Sequence, residues 1–179
     1  MRKEIIEDAY LQCQQICKDA STTFYSSFSA LGFDKRRAVH AVYALCRWVD
    51  DIVDGDEEPV VELSEELLEQ TNQRDLILRE LHLDSEPSNP KEIHFQRLMA
   101  LVAIRNKLQL ANEGKITEND EPVFIALQDV FKRYTIRLQD FETIIEGMED
   151  DLFPVSCNTW DELRSYCYKV ASAVGLILI

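Results

Sequence analysis

Apolar residues in this chain recur every three or four positions, segment after segment, and nowhere alternate one by one. Ile5/Ile6, Ala9/Tyr10, Cys13 and Ile16/Cys17 keep this spacing, as do Ala38, Val42, Cys46, Val49 and Val53. The period is that of an α-helix, about 3.6 residues per turn, and not the two-residue period of a half-buried strand. Glycine and proline number only five each in 179 residues, too few for a strand-and-turn architecture. The class is all-α, and the length fits one domain over 1–179 with a substantial core.

The same reading divides the chain. Helices are expected over 4–18, from Asp34 as N-cap to Gly55 as terminator, over 59–83, and from Glu92 to Leu110. Asn112-Glu113-Gly114 closes the last of these, and Ser85–Pro90 reads as a loop. Asp120 is placed to cap a helix over about 121–134, with Pro122 in its first turn, and 138–150 follows as another. Residues 20–31 interrupt the charge pattern with hydroxyls and aromatics. Thr159-Trp160-Asp161-Glu162 has the chemistry of a capping box. The helix it opens keeps Leu163, Tyr166/Cys167, Val170, Val174 and Ile177 on one face and meets no polar stop, so the chain is expected to be the front part of a longer one.

A formal charge of −14 argues against nucleic acid and anionic lipid as non-specific partners. An anionic substrate would also be repelled unless bound cations screened it. The five cysteines lack paired C-x-x-C spacing, and Cys13 and Cys17, one helical turn apart, read as a packed apolar pair. With no signal core at the start and no run of about 18 apolar residues, the expectation is a cytoplasmic protein with reduced thiols.

Chemistry is most concentrated in Cys46-Arg47-Trp48-Val49-Asp50-Asp51-Ile52-Val53-Asp54, just before Gly55. On a helix, Tyr43, Arg47, Asp50/Asp51 and Asp54 share one stripe. Asp50 and Asp54 at i, i+4 repel, an arrangement that stability alone disfavours. Paired carboxylates suit magnesium, which commonly takes carboxylates together with substrate phosphates, and an arginine one turn away can grip the same phosphate with two hydrogen bonds. The alternative is a solvated acidic helix end in an acidic protein.

Four segments resemble the squalene/phytoene synthase family, the head-to-head trans-isoprenyl diphosphate synthases. Ser21-Thr22-Thr23-Phe24-Tyr25 is similar to the family's early hydroxyl–aromatic segment. Arg36-Arg37-Ala38-Val39 through Arg47 and on to Asp50-Asp51-Ile52-Val53-Asp54 resembles its first aspartate-rich helix. Glu146-Gly147-Met148-Glu149-Asp150-Asp151 resembles its "DGM-x-x-D" helix end, with Glu146 for aspartate. Tyr166-Cys167-Tyr168-Lys169-Val170-Ala171-Ser172-Ala173-Val174-Gly175 resembles its "CY-x-VAG-x-VG" helix, with Ser172 for glycine. Residues 71–100 have no comfortable counterpart and look like an extended or inserted helical segment. The family's second aspartate-rich helix should follow the last segment and is not in this sequence.

The resemblance implies an isoprenoid-synthase helical bundle, incomplete at its C-terminus. It also implies a magnesium-dependent transferase that joins two allylic prenyl diphosphates, farnesyl or geranylgeranyl, through a cyclopropylcarbinyl diphosphate to a carotenoid- or squalene-type hydrocarbon. Asp50 and Asp54 would hold magnesium, with Asp51 as an alternate ligand, and Arg47 would contact diphosphate. Ser21 and Thr23 would donate to phosphate or simply cap a helix. Phe24 and Phe28 would line the tunnel mouth or pack as an ordinary core pair, and Tyr43, on the stripe of Arg47, would contact a phosphate or a cation. Tyr166 would face the reaction centre, while Val170, Ala171, Val174 and Gly175 would give the substrate room. Glu146 and Asp151 are expected to be structural or peripheral, and His40, His82 and His94 receive no role. A lipophilic product implies peripheral membrane contact; the oligomeric state is not specified. Competing readings are a chain-elongating prenyl synthase, which also uses D-D-x-x-D, and a non-catalytic acidic helical module.

Overall fold

The computed structural model describes residues 1–55, 89–152 and 157–178. In chain order its helices are α1 (Lys3–Ala20), α2 (Thr22–Phe28), α3 (Phe33–Asp54), α4 (Asn89–Asn112), α5 (Pro122–Arg133), α6 (Leu138–Asp151), α7 (Trp160–Cys167) and α8 (Ala173–Leu178). A π-helical turn over Tyr168–Ser172 joins α7 to α8. There is no strand among the described residues, in line with the all-α expectation. The helix expected over 59–83 lies outside them. No described helix is long and apolar enough to cross a membrane.

Helix α5 is the centre of the packing. Val123 through Gln128 and Val130 are all buried, and α1, α3 and α4 each lie against it. Its one buried polar side chain is satisfied: Gln128 accepts from the Ile116 N–H at 2.8 Å and donates to the Ile116 carbonyl at 3.2 Å. This pairing pins the loop that precedes the helix and avoids the cost of an orphaned buried amide. Across from it, α3 buries Ala41, Val42, Ala44, Leu45, Val49 and Ile52, while α1 contributes Ala9, Tyr10, Cys13 and Cys17. Both cysteines are free and fully buried, the packed pair their spacing predicts.

Arg37 is one of the few buried charges, and its surroundings explain how it is tolerated. Its Nη1 lies 3.0 Å from Glu7 Oε1, and its guanidinium stands 4.4 Å from the centroid of the Tyr10 ring. Ion pair and aromatic face together replace part of the lost hydration.

Two expected caps are corrected. Asp34 is not the N-cap of α3; Gly32 takes that position in an extended conformation, and Asp34 sits in the first turn. There its charge still favours the helix N-terminus, while Oδ1 lies 3.4 Å from Arg37. Asp120 does not cap α5 either: Glu121 is the N-cap, with no side-chain hydrogen bond. Asp120 Oδ2 instead accepts from the Thr117 N–H at 2.7 Å and the Thr117 hydroxyl at 2.8 Å, closing the preceding turn, and the carboxylate pairs with Lys107. Asn89 and Pro90, expected in a loop, open α4; proline is compatible with a first turn, whose N–H groups have no partner in the helix. Gly55 ends α3 as the sequence predicts, in the left-handed conformation with φ 85°. Thr159 and Glu162 form the reciprocal capping box.

Helix α6 meets the π-helical turn closely at Gly147. A Cβ there would stand 2.8 Å from Lys169 Cβ and 2.9 Å from Val170 Cγ1. Helix propensity alone favours alanine over glycine by about 1 kcal/mol, whereas overpacking costs about 1–3 kcal/mol. Gly147→Ala is therefore expected to lower stability by about 1 kcal/mol net, measured by urea denaturation. A gain in stability would contradict this packing.

Candidate active site

The C-terminal half of α3 carries the acidic stripe. Arg47 Nη1 lies 3.3 Å from Asp50 Oδ2, and Nη2 forms a closer ion pair with Asp51. Asp50 is half-buried and Asp54 exposed. Burial pushes the Asp50 carboxyl above the ordinary carboxylate range, and the negative charges of Asp54, Asp51 and Asp151 push the same way against Arg47.

Asp151, at the end of α6, thus belongs to the electrostatic surroundings of Asp50. It also accepts a hydrogen bond from the Tyr166 hydroxyl at 2.8 Å. That bond, followed by burial, raises the Tyr166 phenol to about 12 and keeps it protonated at neutral pH. The next acid back, Asp150, pairs with Lys169 at 2.7 Å. Two bonds therefore fasten the start of the C-terminal helical segment to α6.

A second cluster is aromatic. Phe24 and Phe28 stack with ring centroids 6.1 Å apart, and Tyr43 stands 5.8 Å from Phe24 and 6.1 Å from Phe28. Helix α2 buries none of its residues, and Phe24 keeps 54% of its surface exposed. Such exposure is unusual for a large ring in a core pair. Ser21 caps α2 by accepting from the Phe24 N–H at 3.3 Å, and it also meets the Tyr43 phenol, which burial pushes upward. Tyr43 lies close enough to Asp50 and Arg47 to feel both charges. His40, which received no role, is buried with Nε2 unpartnered and its ring 5.5 Å from Tyr25.

The structure therefore brings Asp50, Arg47, Tyr43 and the Phe24–Phe28 pair to one side of α3 and sets Asp151, to which Tyr166 is bonded, near Asp50. Other expected members stand differently. Asp51 is engaged by Arg47, and among the described residues no three acidic, histidine or cysteine side chains converge as a metal cluster. Asp50 and Asp54 remain as a pair. Thr23 is exposed; Val170 packs on Gly147; Ala171 is exposed; Val174 and Gly175 are half-buried. A Cβ at Gly175 would meet nothing within 4 Å, so open space adjoins it.

A cleft of about 500 Å³ lies along the N-terminal half of α3, lined in part by Leu31, Ala38, Val42, Ile136, Leu176 and Ile177. None of the residues expected to give the substrate room lines it. Asp151 and the cleft were not predicted because tertiary packing alone brings α6 and α8 against α3. The one local hint was that Asp151 ends the run Glu149-Asp150-Asp151.

The carboxylate pair fits a divalent cation on physical grounds. Asp50 is crowded by like charges that raise its proton affinity, and an oxygen-seeking ion such as magnesium would relieve that crowding without protonation.

The all-α arrangement is an isoprenoid-synthase fold, which likeness to a solved dehydrosqualene synthase supports. The squalene/phytoene synthase model matches residues 17–179, and the chain belongs to that prenyltransferase family. It is 30% identical over 172 residues to a 15-cis-phytoene synthase of Synechococcus elongatus, covering 96% of this chain and 44% of that protein. Phytoene synthase 1 of Zea mays, a chloroplastic protein, is 28% identical over 179 residues, all of this chain and 34% of that protein. A dehydrosqualene synthase solved in complex with a ligand superimposes with a TM-score of 0.68 at 29% identity, over 97% of this chain and 47% of the other. The chain thus spans less than half the length of these relatives.

Two expectations follow from the electrostatics. Because Asp50 has a folded pKa above its unfolded value, its contribution to stability is fully present below the unfolded value and is lost as pH rises through the folded one. At neutral pH without divalent cations, Asp50→Asn is expected to stabilise the chain slightly, by about 0.2–0.5 kcal/mol, in urea denaturation with chelator present. Asp151→Asn is expected to bring the Tyr166 phenol from about 12 back towards 10, the value of a free tyrosine, read by ultraviolet-difference titration. An unchanged tyrosine titration would contradict the hydrogen bond.

Proposed function

We propose that this chain forms the diphosphate-capturing wall of a head-to-head prenyltransferase that joins two allylic prenyl diphosphates. The observation that carries the reading is the convergence of Asp50 and Arg47 with the Asp151–Tyr166 pair beside an exposed aromatic cluster. Asp50 and Asp54 would hold magnesium, which when bound supplies charge neutralisation to a departing diphosphate. Arg47 offers its planar fork to diphosphate oxygens, a geometry that a lysine lacks. Ser21, beyond capping α2, stands beside Tyr43 at the same edge.

Loss of diphosphate leaves an allylic cation, which the double bond of the second substrate attacks. A proton then leaves to close the cyclopropane, giving a cyclopropylcarbinyl diphosphate that ionises in turn. The chain's own part is to bind, orient and exclude water. The rings of Phe24, Phe28 and Tyr43 present π-faces that tolerate a nearby cation. The Tyr166 hydroxyl donates its one proton to Asp151 and so ties the C-terminal helical segment to the carboxylate that adds to the charge around Asp50. The cleft beside Val42, whose apolar wall is bordered by Lys35, Arg137 and Asp140, has a volume within the ordinary range of small-molecule pockets, about 300–1,000 Å³, and its apolar wall suits part of an isoprenoid tail. The choice of farnesyl or geranylgeranyl, and of dehydro or reduced product, belongs to the whole protein; a reductant-free, carotenoid-type product is the reading favoured here.

Thermal melting of the purified chain with magnesium and farnesyl diphosphate tests the assignment. The wild type is expected to be stabilised only when both are present, and Asp50→Asn and Asp54→Asn to weaken that response at least ~10-fold in ligand concentration. A response identical in all three proteins would favour a non-catalytic acidic module instead.

A further inference from the structure

Helix α3 carries no basic residue in its last turn, although its carboxylates and unpaired carbonyls both make that end negative. The compensating cation comes from another helix. Arg97, on α4, donates from Nη1 to the Val53 carbonyl at 3.0 Å, across 44 residues of sequence. Its Nε is buried with no hydrogen-bond partner among the described residues. Gly55 makes the approach possible, because a Cβ there would fall on the guanidinium, 3.1 Å from Cζ. The glycine that ends the aspartate-bearing helix and the distant arginine are parts of one arrangement.

We infer that Arg97 is a positioning residue for the Asp50–Asp54 pair, fixing the last turn of α3 through the Val53 carbonyl and so setting where Asp54 stands relative to Asp50. Asp54 is the final residue of the helix. A terminal turn held only by its own hydrogen bonds frays, and a carboxylate on a frayed turn cannot keep ligand geometry with one a turn earlier. Arg97 need not touch substrate to matter; like other groups that hold a ligand in place, it acts through the residue it orients. The inference rests on the magnesium–diphosphate reading of the pair.

Calorimetric titration of the full chain with inorganic pyrophosphate in the presence of magnesium tests it. Arg97→Gln, which removes the charge, is expected to weaken binding roughly tenfold, while Arg97→Lys retains affinity within about twofold because charge and one donor remain. Unchanged affinity in Arg97→Gln, or equal loss in both variants, overturns the inference. Should Arg97→Gln lose helicity by circular dichroism, Arg97→Lys decides alone: affinity kept within about twofold supports the inference, and a roughly tenfold loss overturns it. If Asp54→Asn binds pyrophosphate as wild type does, the parent reading fails. If Asp54→Asn is weakened and Arg97→Gln is not, only the role of Arg97 fails.

Discussion

Like-charge crowding at the end of α3 is the constraint to which the rest of the structure answers. Three carboxylates share the last two turns of one helix, and a fourth, Asp151, arrives from α6. Burial first, and then repulsion among these carboxylates only partly offset by Arg47, make Asp50 hold its proton more tightly than an ordinary aspartate. A stability-driven sequence would dilute such a cluster. On the reading proposed above, the Asp50–Asp54 pair would be relieved by a divalent cation bridging to diphosphate, with Arg47 beside it.

The fold supports that crowding with rigidity elsewhere. Helix α5 is buried almost all round, and α1 and α3 both pack on it. The front of α3 is locked by Arg37 against Glu7 and Tyr10, and its tail by Arg97 on the Val53 carbonyl. Arg105 makes a two-pronged pair with Glu149, fixing the end of α6 near Asp151. The regions left open are the complement of this frame: the Phe24 ring, all of α7 and the exposed side of the π-helical turn. Single π-turns recur at functional sites, and this one begins two residues after Tyr166.

The sequence made the helices legible because periodicity is a local property. The Gly55 terminator and the Thr159–Glu162 box followed from chemistry confined to a few neighbouring residues. The caps at Asp34 and Asp120 did not, because each carboxylate found a better partner, Arg37 for one and Thr117 with Lys107 for the other. The acidic stripe was visible since it lies on one helix. Asp151 reads from sequence as structural or peripheral, since its nearness to Asp50 is tertiary, and the walls of the cleft come from elements far apart in sequence. Val174 and Gly175, matched by family likeness, stand on α8, and the cleft is lined by the residues that follow them, Leu176 and Ile177.

The central claim is that Asp50 and Asp54 jointly take a divalent cation with a pyrophosphate group. It is tested most directly by crystals grown with manganese and pyrophosphate, manganese being an anomalous scatterer with magnesium-like oxygen preference. The account predicts an anomalous peak within coordination distance of both carboxylates, with pyrophosphate oxygens between it and Arg47. A peak elsewhere, with Asp50 and Asp54 contacting only water, would contradict it.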